Sequence, residues 1–150
     1  MSTRSGDLDP GVILYMLRTE RLDADKLEEL VNHHCGLAAF SGGESDMQAL
    51  LARAASGDKE AELAVDAFCT SVRKYIGAYA ALMGGIDLVV FTGGIGQHSQ
   101  EIRTRICEGL QFFGIDPTDP ARGRTKTMPT DEEAQIARHC RALLGVRVPN

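Results

Sequence analysis

Arg4 sits among small polar residues, Ser2-Thr3-Arg4-Ser5-Gly6-Asp7, just ahead of a helix-start signal. A guanidinium is permanently charged and presents a fixed fork of donors, so it can clamp charge that develops on a phosphoryl group in transfer. The same surroundings also suit an ordinary solvated arginine. A second candidate is the run Thr92-Gly93-Gly94-Ile95-Gly96, which follows the apolar segment Ile86–Phe91 directly. Glycines there let the backbone approach a ligand without an intervening Cβ, and a following helix start offers unpaired N–H groups to a sugar or phosphate. A tight strand-to-helix turn requires the same residues, and spacing does not separate the two.

Acidic residues supply the remaining candidates. Asp46 and Gln48 open a helix after Gly42-Gly43, where an acid complements the helix dipole and an amide faces solvent. Thr130 and Glu133 have the spacing of a capping box, which assigns Glu133 a structural role and leaves Glu132 without one. A spare carboxylate in a first helical turn either complements the dipole or holds Mg²⁺ through oxygen or bound water. His33, His34 and His139 have no metal-ligand spacing. Cys35, Cys69, Cys107 and Cys140 form no CxxC pair, and three of them fall inside predicted helices, which argues for small buried apolar residues and against zinc or a disulfide scaffold.

The elements that must position these residues are mostly helices. Asp9-Pro10 predicts one helix start and Asp23 another, the second helix running to about His34. Met47, Leu50, Leu51 and Ala54 mark a third, ended by Ser56-Gly57. From Lys59 to Met83 the residues Val65, Phe68, Val72, Tyr75, Ile76, Tyr79, Leu82 and Met83 keep i, i+3, i+4 spacing, the stripe of a long amphipathic helix stopped by Gly84-Gly85. Ile86–Phe91 is apolar almost throughout, as expected of a central strand covered on both faces. Ile102, Ile106 and Leu110 predict another helix, and a last one follows Thr130 to about Leu144.

Composition narrows the classes further. With 43% apolar and 25% charged residues the chain is ordinary for a globular protein, which excludes disordered and collagen-like classes. The net charge of −5, with signs mixed along the chain, argues against nucleic acid as a partner. The longest apolar run is far short of a membrane span, and Met1–Asp7 lacks the apolar core of a signal peptide, so a cytoplasmic location is expected.

Five strings in order, Ser2–Pro10, Ser45-Asp46-Met47, Tyr75-Ile76-Gly77-Ala78-Tyr79, Val90–Gly96 and Pro129–Glu133, resemble acetate kinase and its propionate-kinase relatives. The resemblance runs from Ser2 to about Leu144. It implies an α/β fold: a helix-rich C-terminal lobe of the actin-like, ribonuclease H-like kinases, with residues 1–150 as a single nucleotide-side lobe and an incomplete sheet. It further implies that Arg4 steadies the transferring phosphoryl group. Asp46, Met47 and Gln48, with Gly94, Ile95, Gly96, Gln97 and His98, would contact the nucleotide, and Glu132 would be the magnesium ligand. Gln48 stands where the family more often has arginine, and Gln97-His98 replace a more usual Glu-Asn.

The stretch 114–128 is shorter than in the family, and Arg124-Thr125-Lys126-Thr127 is polar where an apolar strand is usual, so a sheet strand is expected to be lost or shortened. The implied activity is transfer between ATP and a short-chain carboxylate with Mg²⁺, giving an acyl phosphate and ADP. The amino-terminal lobe of the family has no counterpart in these residues, so the polypeptide alone is expected to be inactive. The alternative is a non-catalytic remnant or assembly partner, either as a homodimer or docked on a separate amino-terminal lobe.

Overall fold

A computed structural model describes residues 1–116 and 123–144. The chain divides into two compact units, Met1–Gly85 and Ile86–Asn150. Each is built around its own apolar cluster.

The first unit is helical: α1 (Pro10–Thr19), α2 (Ala24–His33), α3 (Gly36–Phe40), α4 (Met47–Ala55) and α5 (Lys59–Met83). Aspartates start four of the five. Asp9, Asp23, Asp46 and Asp58 are extended N-caps whose carboxylates accept first-turn amides that would otherwise lack partners. Gly84, at φ +74°, ends α5 in the left-handed conformation that glycine adopts without strain. The short helix α3 has no side-chain cap, and no pattern in the sequence announced it.

Helix α5 lies against α3 and α4. Leu37, Met47, Leu50, Ala61, Ala64, Val65 and Cys69 form the core between them, the alanines allowing close approach of the helices. The apolar stripe of α5 is only partly covered, contrary to its uniform periodicity. Val65 is buried and Phe68 and Val72 are half-buried, whereas Tyr79 is 58% and Leu82 81% exposed.

The second unit contains β1 (Val89–Phe91), α6 (Gly93–His98), α7 (Gln100–Cys107), a 3-10 turn at Gln111–Phe113, β2 (Thr125–Thr127) and α8 (Glu132–Leu143). The expected strand over 86–91 is reduced to three residues, because its partner begins only at Thr125. The two strands are parallel, Val89 opposite Thr125, Val90 opposite Lys126 and Phe91 opposite Thr127. The polar segment thus does form a strand, short rather than lost. Thr125 and Thr127 are β-branched and need no apolar face at an exposed edge.

Val89 and Phe91 face a core of Ile102, Ile106, Cys107, Leu110 and Ile115. Val90, on the other face, is 43% exposed, so the described residues cover one side of β1 and not both as expected. The glycine run is not a loop either: Gly93 opens the short helix α6. At the start of α8 the cap is Asp131, whose Oδ1 accepts the Ala134 amide at 2.8 Å, and not the Thr130–Glu133 pair. An aspartate one residue later caps a helix that starts one residue later and adds charge that suits the dipole. The segment 117–122, within the stretch expected to be shortened, lies outside the described residues.

No disulfide joins the cysteines; Cys69 and Cys107 are buried, as expected for helical cysteines, while Cys140 is exposed. Among the described residues no helix is long and apolar enough to cross a membrane.

Candidate functional site

In the first unit, the loop that carries Arg4 is held by its backbone on both sides of that residue. The Leu37 amide donates to Met1 O at 2.9 Å, Ala38 to Ser2 O at 3.1 Å and Cys35 to Thr3 O at 2.9 Å. The Thr3 hydroxyl donates to Asn32 O, and the Ser5 amide to Val31 O, both at 2.9 Å. Arg4 itself is exposed, and no acceptor among the described residues pairs with its guanidinium. A charged fork of donors is therefore presented to solvent from a docked loop, the state in which an anion can bind without first displacing a partner.

Gly36 permits this docking. It adopts φ +62°, and a Cβ there would stand 2.1 Å from Met1 O and 2.7 Å from Arg4 O. Farther along the loop, the Asp7 carboxylate accepts hydrogen bonds from the Lys74 ammonium and the Tyr75 hydroxyl on α5. The bond from Lys74, then that from Tyr75, holds the Asp7 carboxyl below its ordinary range. The same contacts raise the Lys74 and Tyr75 groups.

Asp46 opens α4 and its Oδ1 accepts the Ala49 amide at 2.9 Å, the capping role anticipated for it. The preceding loop is tied down as well. Glu44 Oε1 accepts the Ser45 and Asp46 amides, the buried Ser41 hydroxyl donates to Glu44 O, and Arg53 Nη2 donates to Ser41 O at 3.0 Å. Arg53 in turn pairs with Asp58 at 2.7 Å. Met47 is buried in the core, so any contact it makes with a ligand falls to its main chain, whereas Gln48 is exposed.

In the second unit, Gly94, Ile95, Gly96, Gln97 and His98 all lie on α6. The three glycines differ in what they need. Gly93 has φ +72°; at Gly96 a Cβ would touch Phe91 at 3.6 Å; at Gly94 it would meet nothing within 4 Å, and φ there is ordinary. Neither backbone strain nor packing among the described residues requires a glycine at position 94. Arg103 Nη1 donates to Gly96 O and Gln97 O, both at 2.9 Å, and so ties off the end of α6 from α7.

Glu132 is the first residue of α8, exposed and unpaired among the described residues. No group of three or more His, Cys, Asp or Glu gathers to hold a metal among those residues. Mg²⁺ commonly takes one or two carboxylates and completes its shell with water and phosphate oxygens, so a single unengaged carboxylate fits it. Gly36, Asp7, Lys74, Tyr75 and Arg103 escaped sequence reasoning. Their roles depend on backbone carbonyls and on residues far apart in the chain, which leave no local pattern.

The described residues form a helix-rich α/β chain with a small parallel sheet. Its fold matches Porphyromonas gingivalis acetate kinase with a TM-score of 0.86 at 36% identity, covering 96% of this chain and 40% of that one. A propionate kinase from Francisella tularensis matches with a TM-score of 0.84 at 30% identity, over 92% of this chain and 39% of that one. In sequence, Treponema denticola acetate kinase is 41% identical over 159 residues, 96% of this chain and 40% of the relative, and residues 1–142 match the acetokinase family. The chain belongs to the acetokinase family. It spans about 40% of the length of these relatives.

Proposed function

We propose that the chain is the C-terminal, nucleotide-side part of a kinase that moves the γ-phosphoryl of ATP to the oxygen of a short-chain carboxylate, releasing ADP and an acyl phosphate. The observation that carries this reading is the match to the acetokinase family over residues 1–142. In-line transfer spreads negative charge over the equatorial phosphoryl oxygens, and catalysis consists largely of positioning and of stabilising that charge. Arg4 suits that role, being exposed, unpaired and docked through the residues on either side. Asp46, Gln48 and the main chain of Met47 contact the nucleotide, with Gly94, Ile95, Gly96, Gln97 and His98 beside the adenosine. Glu132 holds magnesium, which when bound neutralises the nucleotide phosphates.

Both compact units belong, on this reading, to one nucleotide-side lobe acting in the cytoplasm, and acyl-chain selectivity resides in the portion of the relatives that this chain does not span. The 150-residue polypeptide alone therefore forms no acyl phosphate. Fusion behind the remaining portion of an acetate kinase restores hydroxamate-detected acetyl phosphate from ATP and acetate, and Arg4→Ala lowers that rate by about a hundredfold or more. Turnover by the chain alone, or a fusion indifferent to Arg4→Ala, contradicts the proposal.

One observation favours a second reading, a non-catalytic assembly partner. Tyr79, Leu82 and Met83 are exposed apolar residues at the end of α5, and on α8 so are Ile136 and Leu143. On that reading the chain self-associates or docks on an amino-terminal lobe and binds no nucleotide. Sedimentation combined with nucleotide titration separates the two.

A further inference from the structure

The loop Met1–Asp7 is pinned by main-chain bonds from Met1 through Ser5, after which no backbone bond among the described residues holds it until Asp9 caps α1. Gly6, at φ +68°, turns the chain in that gap. Asp7 ties the gap to another element by hydrogen bonds. Its two carboxylate oxygens are taken separately, Oδ2 by Lys74 and Oδ1 by Tyr75, adjacent residues of α5 some sixty-seven positions away in the sequence. The clamp residues are themselves supported: Lys74 Nζ lies 5.4 Å from the centre of the Tyr75 ring, and Tyr75 stacks on Tyr79 at 6.3 Å.

We infer that Asp7 is a positioning residue for Arg4: by binding Lys74 and Tyr75 it holds the segment after Ser5, so that the main-chain bonds on either side of Arg4 are not opened by a slack neighbour and the guanidinium is presented from one place. The inference rests on the phosphoryl-binding role proposed for Arg4. It adds the device that keeps Arg4 in position. Arg4 lies between Thr3 and Ser5, whose main chains are already bonded, and holding the segment that follows keeps the Ser5 end from opening before the ligand arrives. All three clamp groups are exposed, so their loss leaves global stability nearly unchanged and acts on the loop.

The test uses the full 150-residue chain and its Asp7→Ala, Tyr75→Phe and Lys74→Arg variants. Hydrogen exchange of the Ser5 amide, which donates to Val31 O, and the rate of tryptic cleavage after Arg4 report loop order. Both are expected to rise about three- to tenfold in Asp7→Ala, less in Tyr75→Phe, and to stay near the original in Lys74→Arg, which keeps the charge and the donors. Rates in Asp7→Ala equal to those of the unaltered chain overturn the inference. Tripolyphosphate titration supplies the functional arm. Asp7→Ala weakens its binding, and in an Arg4→Ala background the same substitution has no further effect. An effect of equal size in both backgrounds overturns the positioning role. If the unaltered chain binds no tripolyphosphate while the exchange result holds, the clamp stands and the phosphoryl role of Arg4 falls.

Discussion

Substituting Gly36→Ala perturbs the candidate site without replacing any residue proposed to meet a ligand. The new Cβ would stand 2.1 Å from Met1 O and 2.7 Å from Arg4 O, both main-chain atoms that no rotamer change can clear, at a φ of +62°. Holding a side-chain-bearing residue in the left-handed region costs roughly 1–2 kcal/mol. Displacing the loop breaks the bonds from Leu37 to Met1 and from Cys35 to Thr3, each worth about 1 kcal/mol. With the loop displaced, the sum is roughly 3–4 kcal/mol. Releasing Met1–Ser5 avoids the clash and forfeits the docking bonds alone, so the loop detaches while α4 and α5 keep their core. The expected result in hydrogen exchange is loss of protection at the Ser5, Cys35 and Leu37 amides, with Leu50 and Val65 still protected and the urea midpoint modestly lowered. Unchanged protection of Ser5 and Leu37 would refute the reasoning, since it would mean that a methyl group fits where the structure leaves no room.

Three further outcomes follow from particular contacts. Asp58 is held below its ordinary carboxyl range by the Ala61 amide first and then by Arg53, so the stability it gives α5 is present above about pH 4 and lost as pH falls through its lowered value. Urea midpoints measured from about pH 3 to 7 decline at the acid end, and Asp58→Asn flattens that decline. Arg103→Met frees the carbonyls of Gly96 and Gln97 and costs about 1–3 kcal/mol, seen as faster exchange of the Ser99 amide, which donates to Ile95 O. Leu50→Ala, at a fully buried position, destabilises the chain by about 2–5 kcal/mol in urea titration.

Much of the fold was legible because its signals are local. Asp9 and Asp23 cap the helices they precede, and Gly84 stops α5. What escaped depends on distant partners. Thr125–Thr127 is a strand because Val89–Phe91 lies beside it, and its own residues carry no apolar signal. The α5 stripe is periodic to Met83, yet only the part facing α3 and α4 is buried, and periodicity cannot tell where a neighbour ends. The cap of α8 was misplaced by one residue, since Thr130 and Asp131 are both competent and only geometry chooses between them.

The candidate residues were legible as residue types, and their supports were not. Arg4 stood out among small polar neighbours, whereas Gly36 and the Asp7 contacts lie 32 and 67 or more positions from their partners, at Arg4 O, Lys74 and Tyr75. Asp46 was readable as a cap and serves as one, a duty that occupies one of its two carboxylate oxygens.

Calorimetric titration of ATP, ADP and AMP into the unaltered chain and into Gly94→Val addresses the nucleotide-side assignment most directly. Similar weak affinities for all three nucleotides, lost in Gly94→Val, are expected of a surface that grips the adenosine where the glycine backbone is bare. No binding of any of the three by the unaltered chain, or affinities indifferent to a side chain at position 94, would contradict it.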